Sequence, residues 1–196
     1  MRLSKQSRSV DLGKLAIYEL VLEFCVAEWP DAGVFGSGMV KNHYLAPVGM
    51  VRNHSYVEYN GICYGAFSHT SGRGYCYQYI DGRYPVRIEQ ILHIEIPGGA
   101  NLRTVCALVR RFKAPPIEPH FPWDTWASHL GVSSWAYDGL EEVMAVQANC
   151  FSGALALFDV EMSYGRYWVT VALDSVSPER DDADDDLGDN EGGDIE

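Results

Sequence analysis

The chain has 196 residues, which suits one domain with appendages, and its hydrophobic content of 47% excludes a chain that is disordered throughout. Its net charge of −12 is concentrated at the C-terminus, where residues 179–196 hold ten acidic residues and one arginine. The rest of the chain is close to neutral, which disfavours tight, nonspecific DNA binding by charge alone.

Residues 1–10 are basic and polar and lack the apolar core of a signal peptide, so we expect a flexible N-terminus. No apolar run reaches the length that a bilayer crossing needs. The cysteines show no Cys-x-x-Cys pair, which fits reduced thiols: they are Cys25, Cys63, Cys76, Cys106 and Cys150. The sequence therefore predicts an intracellular protein with no membrane partner.

Residues 11–30 carry the clearest helical pattern of the chain. Asp11 is placed to cap the start of a helix, and Pro30 marks its end. The apolar residues recur at helical spacing: they are Leu15, Leu20, Val21 and Phe24. We expect one amphipathic helix that packs on the core.

Residues 31–176 alternate between short β-branched or aromatic runs and turn residues, which is typical of β-structure. Tight hairpins are predicted at Asn60-Gly61, at Asp81-Gly82 and at Ser163-Tyr164-Gly165. The predicted strands lie near residues 47–51, 55–59, 62–67, 74–80, 84–96, 103–113, 143–149, 153–161 and 166–173. We expect a mostly β fold, either a β-barrel or a small sandwich.

Residues 114–139 interrupt this texture with four prolines and three tryptophans, and we interpret them as a long ordered insertion with a short helix near residues 123–130. Such a loop is often functional or covers one end of the core. Trp123 and Trp126 are candidate binding residues, although the same side chains would also serve to pack the insertion onto the barrel.

The stretch "HTSGRGYCYQYIDGRY" places Tyr75, Tyr77 and Tyr79 at every second position of a predicted strand, hence on one face. One interpretation is a row that half-covers the core with its hydroxyls in water. The other is a platform that stacks on bases or lines an aromatic cage, with Arg73 nearby for phosphate. The glycines lack the pattern of a phosphate-binding loop and are expected to turn the chain.

Positive charge gathers on and after one predicted strand, at Arg110, Arg111 and Lys113. These side chains suit phosphate contacts, but charge on a strand edge also protects it against aggregation. Both interpretations stay open at this stage.

Catalytic and metal-binding patterns are weak. A zinc site would need Cys63, His69 and Cys76 to converge with a fourth ligand, and no short paired spacing supports that. Cys150 has histidines upstream, but nothing in the sequence places them in contact, and no Gly-x-Ser-x-Gly motif is present. We therefore predict no catalytic residue, no metal and no cofactor, and a protein that is not an enzyme.

Residues 177–196 have little apolar surface to bury and repel one another, so a disordered acidic tail is expected. A solubilising role is one interpretation. An acidic mimic of nucleic acid, or a segment that docks on basic partners such as histones, is the other.

The layout of residues 31–174 resembles the C-terminal β region of transposase-like proteins encoded by fungal DNA transposons. The stretches that carry this likeness are "GSGMVKNHYLAPVGMVRNHSYVEYNGICYGAF", "SGRGYCYQYIDGRYPVRIEQILHI", "VCALVRRFKAPP", "PWDTWASHLGVSSWAYD" and "FSGALALFDVEMSYGRYWVTVALD". The layout is also similar to bromo-adjacent homology modules and Tudor-like barrels, by fold-level analogy. The resemblance implies a transposon origin, no nuclease domain of its own, and a nuclear rather than cytosolic location.

Together these observations predict a non-catalytic recognition module that binds protein, including chromatin, or nucleic acid. The alternatives are a small enzyme dependent on cysteine or histidine, and a structural fragment of a larger transposase without independent activity. The sequence leaves the ligand and the oligomeric state open.

Overall fold

The computed structural model describes residues 1–36, 43–82, 84–97 and 102–173. The predicted acidic tail, residues 177–196, lies outside the described residues. The fold is mostly β, as predicted. Its strands are β1 (Arg2–Leu3), β2 (Ser7–Asp11), β3 (Val34–Phe35), β4 (His43–Tyr44), β5 (Val48–His54), β6 (Tyr56–Tyr59), β7 (Ile62–Gly65), β8 (Tyr77–Ile80), β9 (Tyr84–Ile96), β10 (Leu102–Arg111), β11 (Val132–Ala136), β12 (Met144–Gln147), β13 (Phe151–Met162) and β14 (Gly165–Ala172). The α-helices are α1 (Tyr18–Glu28) and α2 (Ala127–Leu130).

The main sheet is antiparallel and follows the order β11-β14-β13-β8-β9-β10-β12; β5 also pairs with β9, and β2 pairs with β5. One edge of the long strand β9 pairs with β8 near Arg87 and, further along, with β5 near Ile94. Its other edge pairs with β10. Strands β1, β6 and β7 form a second, three-stranded sheet. Strand β9 is thus the element around which the large sheet is organised.

Of the two predicted arrangements, a β-barrel or a small sandwich, the closed barrel is not found in the part of the chain that the structure describes. Within the described residues, the end strands β11 and β12 pair with β14 and β10 and not with each other, so the sheet stays open. Helix α1 lies against β12, where Glu28 accepts a hydrogen bond from the Gln147 side-chain amide. The insertion supplies β11 at the opposite end, which extends the sheet instead of closing it.

The core occupies both faces of the sheet, because successive residues of β10 point to opposite sides. On one face, Leu108 packs with Val21 and Cys25 of helix α1. On the other face, Val109 packs with Tyr64 of β7 and its neighbours. This double burial explains the unbroken apolar run "VCALV" in β10, since a strand covered on both faces has no polar side.

The N-terminal region differs from its prediction in two places. Residues 1–10 are not a free end, because Arg2 of β1 pairs with Glu58 and Ser7 of β2 pairs with His54. Helix α1 begins at Tyr18 and not at Asp11, whose carboxylate accepts the Lys14 backbone N–H at 3.2 Å in a turn before the helix. The end of the helix before Pro30 is confirmed.

The hairpin predictions are confirmed. Asn60 and Gly61 have φ angles of 51° and 79° and join β6 to β7, which is the left-handed backbone that a two-residue hairpin turn needs. Asp81 and Gly82 also have positive φ, at 45° and 92°, between β8 and β9. Local turn chemistry therefore set the register of these strands.

Candidate functional site

The predicted tyrosine row does not form one exposed face. The predicted strand over residues 74–80 is wrong at its start, because Arg73–Tyr75 is a turn of 3-10 helix and the strand begins at Tyr77. Tyr75 is 56% exposed, whereas Tyr79 is buried at 5%. Tyr77 is half-buried, with its ring 6.0 Å from that of Phe112, and burial raises its pKa. A stacking platform of all three tyrosines is therefore not present.

The predicted basic residues are dispersed and largely engaged. Arg73 donates from Nε to the Phe67 carbonyl at 3.1 Å and lies over the Phe67 ring. Arg110 and Arg111 are adjacent on β10, so their side chains leave opposite faces of the strand. Arg110 Nε donates to the Glu141 carbonyl at 2.6 Å, and the Arg111 guanidinium lies 5.1 Å from the Tyr84 ring centre. The described part of the chain thus presents no joint phosphate site made of these arginines.

The cysteines are not activated as nucleophiles. Cys150 contacts the Asn149 side-chain oxygen at 3.7 Å, and burial together with Asp81 raises its pKa. Burial also raises the pKa of Cys25 to about 12 and that of Cys76 to about 11. Because the thiolate is the reactive form, these shifts disfavour nucleophilic chemistry.

Across the described ranges, no group of three or more histidine, cysteine, aspartate or glutamate side chains is placed to hold a metal ion. Cys63, His69 and Cys76 accordingly do not form the zinc site that the sequence had left as an alternative.

The insertion is ordered and anchored, as predicted, and its predicted short helix is confirmed by a 3-10 turn over Asp124–Trp126 that runs into α2. The Tyr164 hydroxyl bonds both the N–H and the carbonyl of His120, each at 3.2 Å. The Asp124 carboxylate accepts the Phe121 N–H at 2.9 Å. These contacts fix the segment that precedes the helix against the β13–β14 hairpin.

A surface cleft of about 710 Å³ lies between this anchored segment and β11. Its aromatic walls are Trp123, which stacks on Phe121 with the ring centres 4.7 Å apart, and Trp135. Trp135 donates from Nε1 to the Thr170 hydroxyl at 3.0 Å, which fixes the orientation of its ring. The volume is in the range of ligand sites, and the aromatic walls are preformed.

Strand β11 contributes to this cleft the edge that faces away from β14. Four consecutive residues, Val132 to Trp135, line the cleft, so it runs along the strand and does not lie over one face. The Ala136 N–H points away from β14 and donates to the Lys113 carbonyl at 2.9 Å. The Gly131 carbonyl points towards β14 and accepts the Ala172 N–H. Backbone bonding alternates along an antiparallel strand, so the N–H and C=O groups of Val132 and Ser134 also point away from β14.

The cleft is acidic. Its lining includes the carboxylates of Glu118 and Asp124 and the imidazole of His120, and it includes no lysine or arginine among the described residues. His120 Nδ1 lies 3.7 Å from Asp124, and Glu118 forms no ion pair with any described residue. The site therefore offers negative charge beside aromatic rings.

The predicted site residues fall into two groups. Trp123 lines the cleft, and Trp126 stands beside it with 61% of its surface exposed. Lys113 does not line the cleft, and its carbonyl accepts the Ala136 N–H at the end of β11. The structure does not bring the remaining candidates to this place: they are Arg73, Tyr75, Tyr77, Tyr79, Arg110 and Arg111.

Sequence reasoning missed β11, the element that builds the cleft. Its sequence, Val-Ser-Ser-Trp-Ala, has only one β-branched residue and follows a proline-rich segment, so it was included in the insertion. Its residues show no alternation of apolar and polar side chains, because Val132 shares a face with Ser134, and Trp135 shares the other face with Ser133.

No helix in the described ranges has the length and apolar character required to cross a membrane. The resemblance to transposase-like proteins and to chromatin barrels, and the nuclear location that it implied, stay predictions. No protein-family model, no curated protein and no solved structure matches this chain.

Proposed function

We propose that this protein is a non-catalytic recognition module that binds an extended peptide segment of another protein in the cleft beside β11. The peptide adds as a further strand to the β11 edge, with its backbone paired to Val132 and Ser134. Its side chains contact the tryptophan walls of the cleft. The observation that carries this proposal is the β11 edge at Val132 and Ser134, which pairs with no described strand and lies inside a preformed aromatic cleft.

Strand addition is supported by the chemistry of the edge. An exposed strand edge is a template for pairing with another chain, and proteins commonly block such edges with charge, proline or bulges. Strand β11 carries none of these, since its residues are Val, Ser, Ser, Trp and Ala. The adjacent Trp126, which is 61% exposed, is of the residue type most enriched among interface hot spots.

Nucleic acid is the less supported ligand. Phosphate binding needs convergent lysine or arginine side chains, and the cleft holds two carboxylates instead. Arg103 and Arg87 pair with Glu95 and Glu89 at 2.6 Å and 2.7 Å, which reduces their attraction for phosphate.

The proposal is tested at Ser134, whose N–H points into the cleft. We expect the full-length protein to enrich peptides from a random linear peptide library, and Ser134→Pro to weaken their binding by about tenfold or more, because proline removes the pairing N–H. Titration calorimetry with the enriched peptides measures this loss. Ser134→Ala is the matched control, since it removes the hydroxyl, keeps the N–H, and should bind within about twofold of the wild type.

Proline is tolerated at a strand edge, so the Ser134→Pro protein should retain its circular dichroism spectrum and cooperative melting. Enriched peptides that bind the Ser134→Pro protein as tightly as the wild type would overturn strand addition. A library that yields no binder would count against peptide recognition itself.

A further inference from the structure

We infer that the peptide presents a lysine or arginine side chain to the Trp123 end of the cleft. This inference rests on the proposed function, and it specifies the chemistry of the ligand. Trp123 stacks on Phe121 with an interplanar angle of 6°, and Phe121 in turn meets Tyr167 edge-on, with the ring centres 6.3 Å apart. The Trp123 ring is therefore supported from below and is held as a fixed wall of the cleft.

A fixed indole face attracts cations through its quadrupole, and tryptophan is the strongest of the aromatic residues in this respect. Asp124 follows Trp123 directly in the chain, and both line the cleft. One Asp124 oxygen accepts the Phe121 N–H at 2.9 Å, which holds the carboxylate in place. The other oxygen has no hydrogen-bond donor among the described residues.

Glu118 supplies a second negative charge on the same lining. No lysine or arginine of the described chain reaches the cleft to neutralise either carboxylate. A cationic side chain from outside would complement both the aromatic ring and the two charges, whereas an acidic or phosphorylated peptide would be repelled. The net charge of −12 acts in the same direction, because it speeds the encounter with basic partners.

The prolines of the cleft favour a defined pose over a loose electrostatic contact. Pro119 directly follows the acidic residue Glu118 on the cleft lining and restricts its backbone, and Pro115 lies on the same lining. Pro119 is also buried, so this wall is held by the body of the protein. A rigid wall lowers the entropic cost of ordering the partner peptide.

Peptides selected on the full-length protein test the inference. We expect the enriched sequences to share one lysine or arginine, and replacement of that residue by norleucine or citrulline to weaken binding about tenfold, as measured by titration calorimetry. The double variant Glu118→Gln, Asp124→Asn should lose a similar factor. Asparagine keeps the oxygen that accepts the Phe121 N–H, so the segment should remain ordered.

Glu142→Gln is the matched control, because Glu142 is exposed and lies outside the cleft lining. It should bind the same peptides within about twofold of the wild type. The affinity for the double variant should also lose most of its dependence on salt concentration.

The outcomes separate the two proposals. Peptides that lose binding in Ser134→Pro but contain no shared basic residue, and that bind the double variant normally, would overturn this inference and leave strand addition in place. A failure of Ser134→Pro to affect any peptide would overturn both. A self-associating protein that becomes monomeric in Ser134→Pro would show that a second copy occupies the edge, and would also overturn the inference.

Discussion

Gly72 is required by a backbone contact and not by an unusual backbone angle. Its φ of −93° is open to any residue, but a Cβ at this position would lie 2.5 Å from the carbonyl oxygens of Ser55 and Ala66. Gly65 lies on the other side of this close backbone contact, since a Cβ there would lie 2.1 Å from the Gly72 carbonyl oxygen. The glycine-rich stretch is thus a packing feature.

We therefore expect Gly72→Ala to lower the free energy of unfolding by roughly 1–3 kcal/mol, since neither backbone segment can move aside freely. Urea denaturation measures the change. Gly74→Ala is the matched control two residues away, where an added Cβ meets nothing within 4 Å, and it should change stability by less than about 1 kcal/mol. If Gly72→Ala and Gly74→Ala were equally stable, the close backbone contact at Gly72 would be contradicted.

His54 links the N-terminal segment to β5 and makes stability depend on pH. Its Nδ1 lies 3.1 Å from the Ser4 carbonyl, and its Nε2 is buried without a partner in the described residues. Burial lowers the pKa of His54 below its ordinary value of 6.5. The hydrogen bond to Ser4 opposes this shift, whereas charge on His93, Arg52 and His69 adds to it.

With a pKa that is lower in the folded than in the unfolded protein, the unfolded chain takes up the proton first as the pH falls. The contribution of His54 is therefore complete above pH 6.5, and stability is lost as the pH drops from 6.5 towards the native pKa. We expect His54→Gln to reduce the slope of the free energy of unfolding against pH below pH 6.5, as measured by urea denaturation. His129→Gln, at an exposed site, should leave the slope unchanged.

The insertion forms the walls of the cleft, and Tyr164 anchors it. Removing the hydroxyl in Tyr164→Phe deletes both hydrogen bonds to the His120 backbone. We expect amide exchange over residues 118–124 to become about thirtyfold faster, since two bonds of about 1 kcal/mol each are lost. Global melting should change little, because the bond lies at the surface.

Tyr75→Phe serves as the control for this variant, because Tyr75 is 56% exposed on a different turn. It should leave exchange in the insertion as in the wild type. Unchanged exchange in Tyr164→Phe as well would show that the hydroxyl does not hold the segment.

At the scale of elements, sequence patterns predicted the turns and strands whose formation depends on residues close together in the chain. The turn at Asn60-Gly61 and the long β-branched run of β9 were both predicted, because a left-handed dipeptide and a β-branched composition act within a few residues. Strand β11 was missed because its strand form comes from pairing with β14, more than thirty positions away in the chain. Tyr75 lies outside the strand, contrary to the prediction, because the chain turns at Gly72, where the backbone makes a tertiary contact.

The same distinction between local and long-range causes explains which candidate site residues lie near the cleft. Trp123 and Trp126 were predicted as binding residues, since they belong to a long insertion of a kind that is often functional, and both lie at or beside the cleft. The tyrosine row failed because period-two spacing predicts a shared face only where the strand is continuous. Nothing in the sequence indicated whether that face would be buried, as Tyr79 is.

For the whole molecule, a periodicity of two indicated a β fold but not its closure. Whether a sheet closes depends on which strands meet at its ends, and this is set by long-range pairing. Here helix α1 covers the β12 end, and the insertion builds the β11 end. One end is therefore blocked, and the other offers a strand edge inside an acidic, aromatic cleft.

Residue-resolved amide exchange on the free and peptide-bound protein tests this central claim most directly. In the free protein, the N–H groups of Ser133 and Trp135 should exchange slowly, because they pair with β14, and those of Val132 and Ser134 should exchange fast. Saturation with a selected peptide should slow Val132 and Ser134 by at least about tenfold. Unchanged fast exchange at both positions in the bound protein would contradict strand addition at β11.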